Sequence, residues 1–154
     1  MSDLQTQIVE TWQIHNRVNL YLLDAIETDA LTLSLKEKGR TIAALFAHVH
    51  NVRLMWLKPA APSLLDGLDK LDDAATKAQI QIALTNSGDA MAQLLQESAS
   101  TGKVKSFKRG VVPFLGYLVA HESHHRGQIG WILKHTGHPL DRAIAFGLWD
   151  WNAR

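Results

Sequence analysis

The segment His121–Gln128 reads HESHHRGQ and lies within a predicted helix that begins near Pro113 and ends near Thr136. On an α-helix, His121 and His125 lie one turn apart on the same face, so both imidazoles can reach one divalent metal ion. The segment also contains the pattern HExxH, which is the signature of zinc metalloproteases. It therefore indicates a helical protein with a metal site, and the rest of the chain must show which kind of site this is.

Three further helices are predicted from apolar residues spaced three and four positions apart. The four predicted helices span about residues 3–26, 41–57, 72–98 and 113–136. Four amphipathic helices in one domain, taken as residues 1–154, predict an all-α fold, a four-helix bundle, which builds metal sites from facing helices. The residues expected to mark helix ends are Ser2 or Asp3, Thr41, Pro59, and Asp72 with Asp73.

Two other segments carry structural expectations. Ser87 and Gly88, in the middle of the third helix, either weaken that helix or mark a close approach of a neighbour. Residues 99–110 are polar and basic, which indicates a solvated loop or, alternatively, an anion-attracting lip over a pocket. The C-terminal tail is too apolar to be free, so we expect it to pack across the bundle or against a partner chain. Its large aromatic residues are Phe146, Trp149 and Trp151.

Composition narrows the function. The chain has no cysteine, so a metal must be bound by histidine, carboxylate or water. The net charge of +1 gives no electrostatic reason to expect binding to nucleic acid or a membrane. No apolar run reaches the roughly 18 residues of a membrane span. The N-terminus lacks the layout of a signal peptide, so we expect a cytoplasmic protein.

A third metal ligand is predicted on the second helix. His48 shares the inward face with Leu45, Val52 and Met55, whereas His50 points about 200° away and is expected at the surface or an interface. Three neutral imidazoles leave open coordination positions, which suits catalysis better than a structural role. We expect Zn²⁺ or Ni²⁺, with Fe²⁺, Co²⁺ and Mn²⁺ as alternatives.

The protease interpretation is not supported. No glutamate follows Glu122 to act as the third ligand, and Gln128 and Trp131 stand where the extended pattern HExxHxxGxxH requires Gly and His. No sheet is predicted beside the helix. We therefore expect Glu122 to be a solvated surface residue, with a role as a base or as a partner of a ligand as the alternative.

The catalytic residues are unknown from the sequence, with Glu122 and Gln128 as weak candidates. Gln128 lies about 20° from His121 on the helix and can hydrogen-bond a ligand imidazole or a metal-bound water. For His15 and Asn19 the alternative to a pocket position is a buried polar group bonded to the backbone. The residues proposed to line a pocket are His15, Asn19, Tyr117 and His124.

The segments Phe46–Leu57 and Ala120–Ile129, with the closing Leu148–Trp151, resemble the DinB-like superfamily of damage-inducible-type proteins. The resemblance implies a four-helix bundle, often a homodimer, with a three-histidine divalent metal site. The ligands carried over by position are His48, His121 and His125. The superfamily includes S-transferases and isomerases that use low-molecular-weight thiols, and members described as metal-dependent hydrolases. Its name refers to induction by DNA damage and does not imply DNA binding.

Three functions are therefore compared. The first is a metal-dependent enzyme, a thiol-dependent S-transferase or a hydrolase, with a small-molecule substrate, a low-molecular-weight thiol as a candidate partner, and a homodimeric assembly. The second is a non-enzymatic, stress-related module that binds a metal or a small ligand. The third is a structural bundle whose histidines serve packing and dimerisation.

Overall fold

The computed structural model describes residues 3–154 and shows four long helices that pack as a bundle, followed by a short fifth helix. Both α1 and α2 contact α3 and α4. Within residues 3–154 there is no strand, apart from an isolated bridge between Val104 and Phe107. The predicted all-α four-helix bundle is confirmed. The helices are α1 (Leu4–Ala25), α2 (Ile42–Ala60), α3 (Lys77–Thr101), α4 (Val111–His135) and α5 (Arg142–Gly147).

Local capping explains where the first two helices begin. The Asp3 carboxylate accepts a hydrogen bond from the backbone N–H of Thr6 at 2.7 Å. The Thr41 hydroxyl accepts one from the N–H of Ala44 at 3.1 Å. Each cap satisfies a helix N-terminal donor that has no partner inside the helix. The other predicted cap, Ser2, lies outside the described residues.

The end of α2 differs from the prediction. The helix continues past Leu57 and includes Pro59 before it ends at Ala60. Proline removes one backbone donor, but the ladder resumes because the N–H of Ala61 donates to the carbonyl of Leu57 at 2.8 Å. A proline in the last turn therefore does not stop this helix.

The start of α3 also differs, because the helix begins at Lys77 rather than near Asp72. Thr76 and Gln79 form a capping box, in which Gln79 N–H donates to the Thr76 hydroxyl at 3.2 Å and Thr76 N–H donates to the Gln79 side chain at 2.8 Å. The Asp72 carboxylate instead accepts from the N–H of Ala74 in the preceding turn. Asp72 therefore shapes a turn before the helix.

The core of the bundle is divided into two hydrophobic clusters. One cluster, at one end, includes Leu22, Ile42 and Ile80. The other includes Trp12 and Phe114. Along each long helix, buried polar residues lie between the two clusters. We call this set the polar layer, and it consists of His15, Asn16, Asn19, His50, Arg53, Ser87 and Glu122.

Gly88 lies where α1 and α3 approach closely. A Cβ atom added at Gly88 would overlap the side chain of Asn16. The indole N–H of Trp12 donates to the Gly88 carbonyl at 2.8 Å. Helix α3 runs unbroken through this point, so of the two predicted alternatives the close approach is the one found.

The C-terminal tail lies against α1. The Arg154 guanidinium stacks 3.7 Å above the Tyr21 ring and donates to the carbonyl of Gly147 at 2.9 Å. Phe146 and Trp149 nevertheless remain 63% and 83% exposed. The predicted packing across the bundle is thus found for the end of the tail, and these two aromatic side chains are left uncovered.

The basic loop before α4 is solvated on its charged side. The side chains of Lys103, Lys105 and Lys108 are exposed, while Val104 and Phe107 turn inward to join the second hydrophobic cluster. This arrangement matches the solvated-loop interpretation.

Candidate metal centre

Three histidines from two helices meet beside the polar layer. His48 projects from α2, and His121 and His125 project from successive turns of α4. One ring nitrogen of each lies within 4.8 Å of the others. The Nε2 atoms of His121 and His125 are 3.1 Å apart. Two imidazole nitrogens bound to one first-row metal ion at about 2.0–2.1 Å are separated by roughly 2.9–3.4 Å, so this pair fits a shared ion.

Neighbouring side chains hold the rings of the α4 pair. The Nδ1–H of His125 donates to the Gln128 side-chain oxygen at 2.8 Å. This bond leaves the lone pair of His125 on Nε2, the atom that faces His121. The Tyr117 ring stacks on His121, with centroids 6.0 Å apart and planes 14° apart. Gln128 therefore makes one of the contacts expected of it, a hydrogen bond to a candidate ligand.

The surroundings keep all three imidazoles neutral. Burial lowers the pKa of His48 to about 4, helped by the positive charge of Arg40. Burial is also the main reason that the pKa values of His121 and His125 are lowered. Neutral imidazole is the form that binds a metal ion, so the site does not need to lose protons before binding at neutral pH.

The expectation that Glu122 is a solvated surface residue is wrong. Glu122 is 2% exposed and forms an ion pair with Arg53, with Nε–Oε1 and Nη2–Oε2 distances of 2.7 and 2.8 Å. Its Oε2 also accepts from His15 at 2.9 Å and from Asn19 at 2.7 Å. Four donors from α1 and α2 thus converge on one carboxylate in the polar layer.

The chemistry of Glu122 follows from these contacts. Burial alone would raise its pKa, but the charge and hydrogen bonds of Arg53, together with His15, outweigh burial and lower the pKa. The carboxylate is therefore ionised and fully engaged in the polar layer. This geometry argues against a role for Glu122 as a catalytic base.

His15 and Asn19, proposed as pocket residues, belong to the polar layer instead. Both are buried, and their hydrogen bonds run to the Glu122 carboxylate rather than to the backbone. Arg126 closes the group from α4, donating to the Asn19 side-chain oxygen at 2.7 Å. Both residues are therefore buried polar groups, which was the alternative to a pocket position. Their hydrogen-bond partner is a side chain and not the backbone.

Two predictions for α2 are also wrong. His50, expected at the surface or an interface, is 1% exposed, with Nε2 2.8 Å from the carbonyl oxygen of Asp69 and Nδ1 3.0 Å from the Ser87 hydroxyl. Met55, placed on the inward face with His48, is 54% exposed. Helix α2 buries a wider arc than one stripe. The Ser87 hydroxyl on α3 provides a hydrogen-bond partner that offsets the cost of burying His50.

A cavity of about 780 Å³ opens beside the histidines, between residues 35–40 and α4. His124 and Gln128 are among its lining residues. An aromatic cluster of Trp56, Phe107, Phe114 and Tyr117 adjoins His121, and of these residues the sequence pointed only to Tyr117. The Trp56 ring lies 5.5 Å from that of Tyr117, and Trp56 is about two turns after His48 on α2.

The fold and these side chains define a helical-bundle protein with a candidate three-histidine metal centre. The chain belongs to the DinB family, whose sequence model matches residues 1–143. The resemblance noted in the sequence is thereby confirmed. No curated protein shows a significant match to the chain. Across residues 3–154, none of the helices combines the length and apolar character needed to cross a membrane.

Proposed function

We propose that the protein binds a divalent transition metal ion through His48, His121 and His125 and is a metal-dependent enzyme. The observation that carries the proposal is the convergence of three ring nitrogens from two helices within 4.8 Å, a group that includes no carboxylate of residues 3–154. Three protein ligands leave a coordination position open, as in catalytic sites. Zn²⁺ and Ni²⁺ are the leading candidates, with Fe²⁺, Co²⁺ and Mn²⁺ as alternatives.

The chemistry proposed is transfer to or from a low-molecular-weight thiol, with hydrolysis as the other reaction. A bound divalent metal supplies Lewis acidity, which lowers the pKa of a thiol or of water. The chain supplies orientation: Gln128 fixes His125 by a 2.8 Å hydrogen bond, and Tyr117 packs on the His121 ring. The adjoining cavity of about 780 Å³ is large enough for a small-molecule substrate.

Metal content tests this proposal. Elemental analysis of the purified protein is expected to give one divalent ion per chain, and His48→Ala, His121→Ala and His125→Ala should each abolish binding. His138→Ala is the matched control, because His138 is exposed and lies outside the cluster. Retention of the metal by the triple alanine variant would show that the site is assigned wrongly.

A non-enzymatic, stress-related module that binds a metal or small ligand is the second candidate. The engagement of Glu122 in the polar layer favours it, because the carboxylate nearest in sequence to His121 is not free to transfer protons. A screen for thiol adducts and for ester and amide hydrolysis with the metal-loaded protein separates the two. Turnover that disappears in His121→Ala supports the enzyme, and metal binding without turnover supports the module.

We also propose a homodimer. The exposed aromatic residues Phe146 and Trp149 support it, because large apolar side chains left in solvent often mark an interface. Light scattering coupled to size-exclusion chromatography is expected to give twice the mass of 17.1 kDa. A mass of one chain at micromolar concentration would contradict the proposal.

A further inference from the structure

The cavity beside the histidines has apolar walls, and its charged residues are all positive. Leu35, Leu45, Trp131 and Ile132 supply apolar surface, and the charged lining residues are Lys36 and Arg40. None of the described residues that line the cavity carries a carboxylate. Its volume of about 780 Å³ is within the usual range of sites for small organic ligands. A ligand that matches these walls carries a negative charge and an apolar body.

The segment that carries the two cations has a defined shape. The Gly39 N–H donates to the Lys36 carbonyl at 2.8 Å, and the Ser34 hydroxyl donates to the same carbonyl at 2.7 Å. The N–H of Ile42 donates to the Leu33 carbonyl at 3.1 Å, which closes the segment at the start of α2. These bonds hold the segment in a turn along the rim of the cavity.

Arg40 is the cation placed to bind an anion. Its side chain is exposed, and no hydrogen-bond or ion-pair partner of its guanidinium is found within the described part of the chain. A guanidinium can bind a carboxylate or a phosphate with two parallel hydrogen bonds. Gln128, which hydrogen-bonds His125, also lines the cavity, so a molecule bound there lies next to the partner of one candidate ligand.

We propose that this cavity binds an organic anion with an apolar tail, whose charged group pairs with Arg40 and whose tail packs on Leu35 and Trp131. The inference rests on the proposed function in one respect. It takes the bound anion to be part of the substrate, held next to the proposed metal centre. The hydrogen bonds between Arg40 and the anion are directional and charge-assisted. The apolar contacts add buried surface but do not distinguish charged from neutral ligands. Neutral compounds of the same shape therefore bind more weakly.

Calorimetric titration with octanoate and with octanamide tests the proposal on the full-length protein. The two probes share the tail and differ in charge. Octanoate is expected to bind about tenfold more tightly than octanamide, and Arg40→Gln should weaken octanoate binding about tenfold while leaving octanamide unchanged. Lys38→Gln is the matched control, because it removes a charge from the same segment outside the cavity lining. Equal affinity for the two probes, or equal effects of the two variants, would overturn the proposal.

Metal-stripped wild-type protein separates this cavity from the metal centre. Octanoate binding that persists without metal and depends on Arg40 supports the anion site. If octanoate binds only with added Zn²⁺ and Arg40→Gln does not weaken its binding, the carboxylate binds the metal. That result would overturn the proposed anion site. If the wild-type protein binds no metal but retains Arg40-dependent octanoate binding, the proposed function fails and the anion site stands.

Discussion

Arg53 of α2 and Glu122 of α4 form a buried ion pair with two hydrogen bonds, of 2.7 and 2.8 Å. The remaining nitrogen of Arg53 donates to the carbonyl of Leu84 and to the Ser87 hydroxyl on α3, at 2.9 and 3.2 Å. The pair thus ties three helices together in the polar layer. Because Glu122 directly follows His121, the same contact fixes α2 against α4 beside the candidate metal ligands.

Glu122→Gln is expected to destabilise the fold by about 3–5 kcal/mol. The substitution keeps the shape of the side chain but leaves the buried Arg53 without its counter-charge. Urea unfolding of the metal-stripped protein measures the free energy of unfolding. Glu10→Gln, at an exposed position on α1, is the control and should change it by less than about 0.5 kcal/mol. A loss under about 1 kcal/mol for Glu122→Gln would show that the ion pair is not needed for stability.

Gln128→Leu is expected to weaken metal binding by about 10–100-fold. The leucine cannot accept the Nδ1–H of His125, so the orientation of this ligand is lost. Competition with a chromophoric chelator measures the affinity. Gln96→Leu, at an exposed position on α3, should match the wild-type protein. If the two variants bind the metal with the same affinity, Gln128 does not orient His125 for metal binding.

Stability should fall as the pH decreases below about 6.5, and His15 should account for part of this fall. Burial lowers the pKa of His15 in the folded protein. Neutral His15 donates from Nε2 to Glu122 and can accept from Arg126 at Nδ1, where an added proton would face the guanidinium. The unfolded chain therefore takes up a proton that the folded chain resists, so unfolding becomes easier at low pH.

The test compares the wild-type protein with His15→Gln, which retains a donor for Glu122. Urea unfolding at pH 7, 6 and 5 in the presence of a chelator should show a shallower pH dependence for the variant. One such group contributes at most about 1.4 kcal/mol per pH unit. Parallel curves for the two proteins would mean that His15 titrates normally in the folded state.

Gly88→Ala is expected to lower the melting temperature, although alanine favours a helix. The added methyl group would overlap the Asn16 side chain at the α1–α3 contact, and overpacking of this kind costs about 1–3 kcal/mol. Gly116→Ala on α4 is the matched control, because nothing lies near its added methyl group. The control should raise stability by roughly 0.5–1 kcal/mol. The same sign of change in both variants would contradict the close approach.

The sequence predicts those parts of the protein that depend on spacing within one helix. His121 and His125 share a face because they are four residues apart, and His48 follows from the apolar stripe of its own helix. The four long helices are predicted for the same reason. The start of α3 was missed although its signal is local, since Thr76 and Gln79 have the spacing of a capping box.

Burial of polar residues could not be predicted in this way. Glu122 lies about 100° from His121 on a helical projection, which places it beside the inward stripe. Helix α4 contacts α1, α2 and α3, so its buried arc is wider than the stripe. Whether a carboxylate on that arc is buried depends on Arg53 and His15, which come from other helices. In the same way, burial of His50 depends on Ser87, which comes from α3.

The division of the hydrophobic core has a consequence for how this chain can change over evolution or in design. Ile80 and Phe114 belong to different clusters, with the polar layer between them. Free energies of substitutions at sites without shared neighbours add. The two ends of the bundle can therefore be repacked separately, each with its own set of tolerated side chains, while the histidines between them keep their mutual distances.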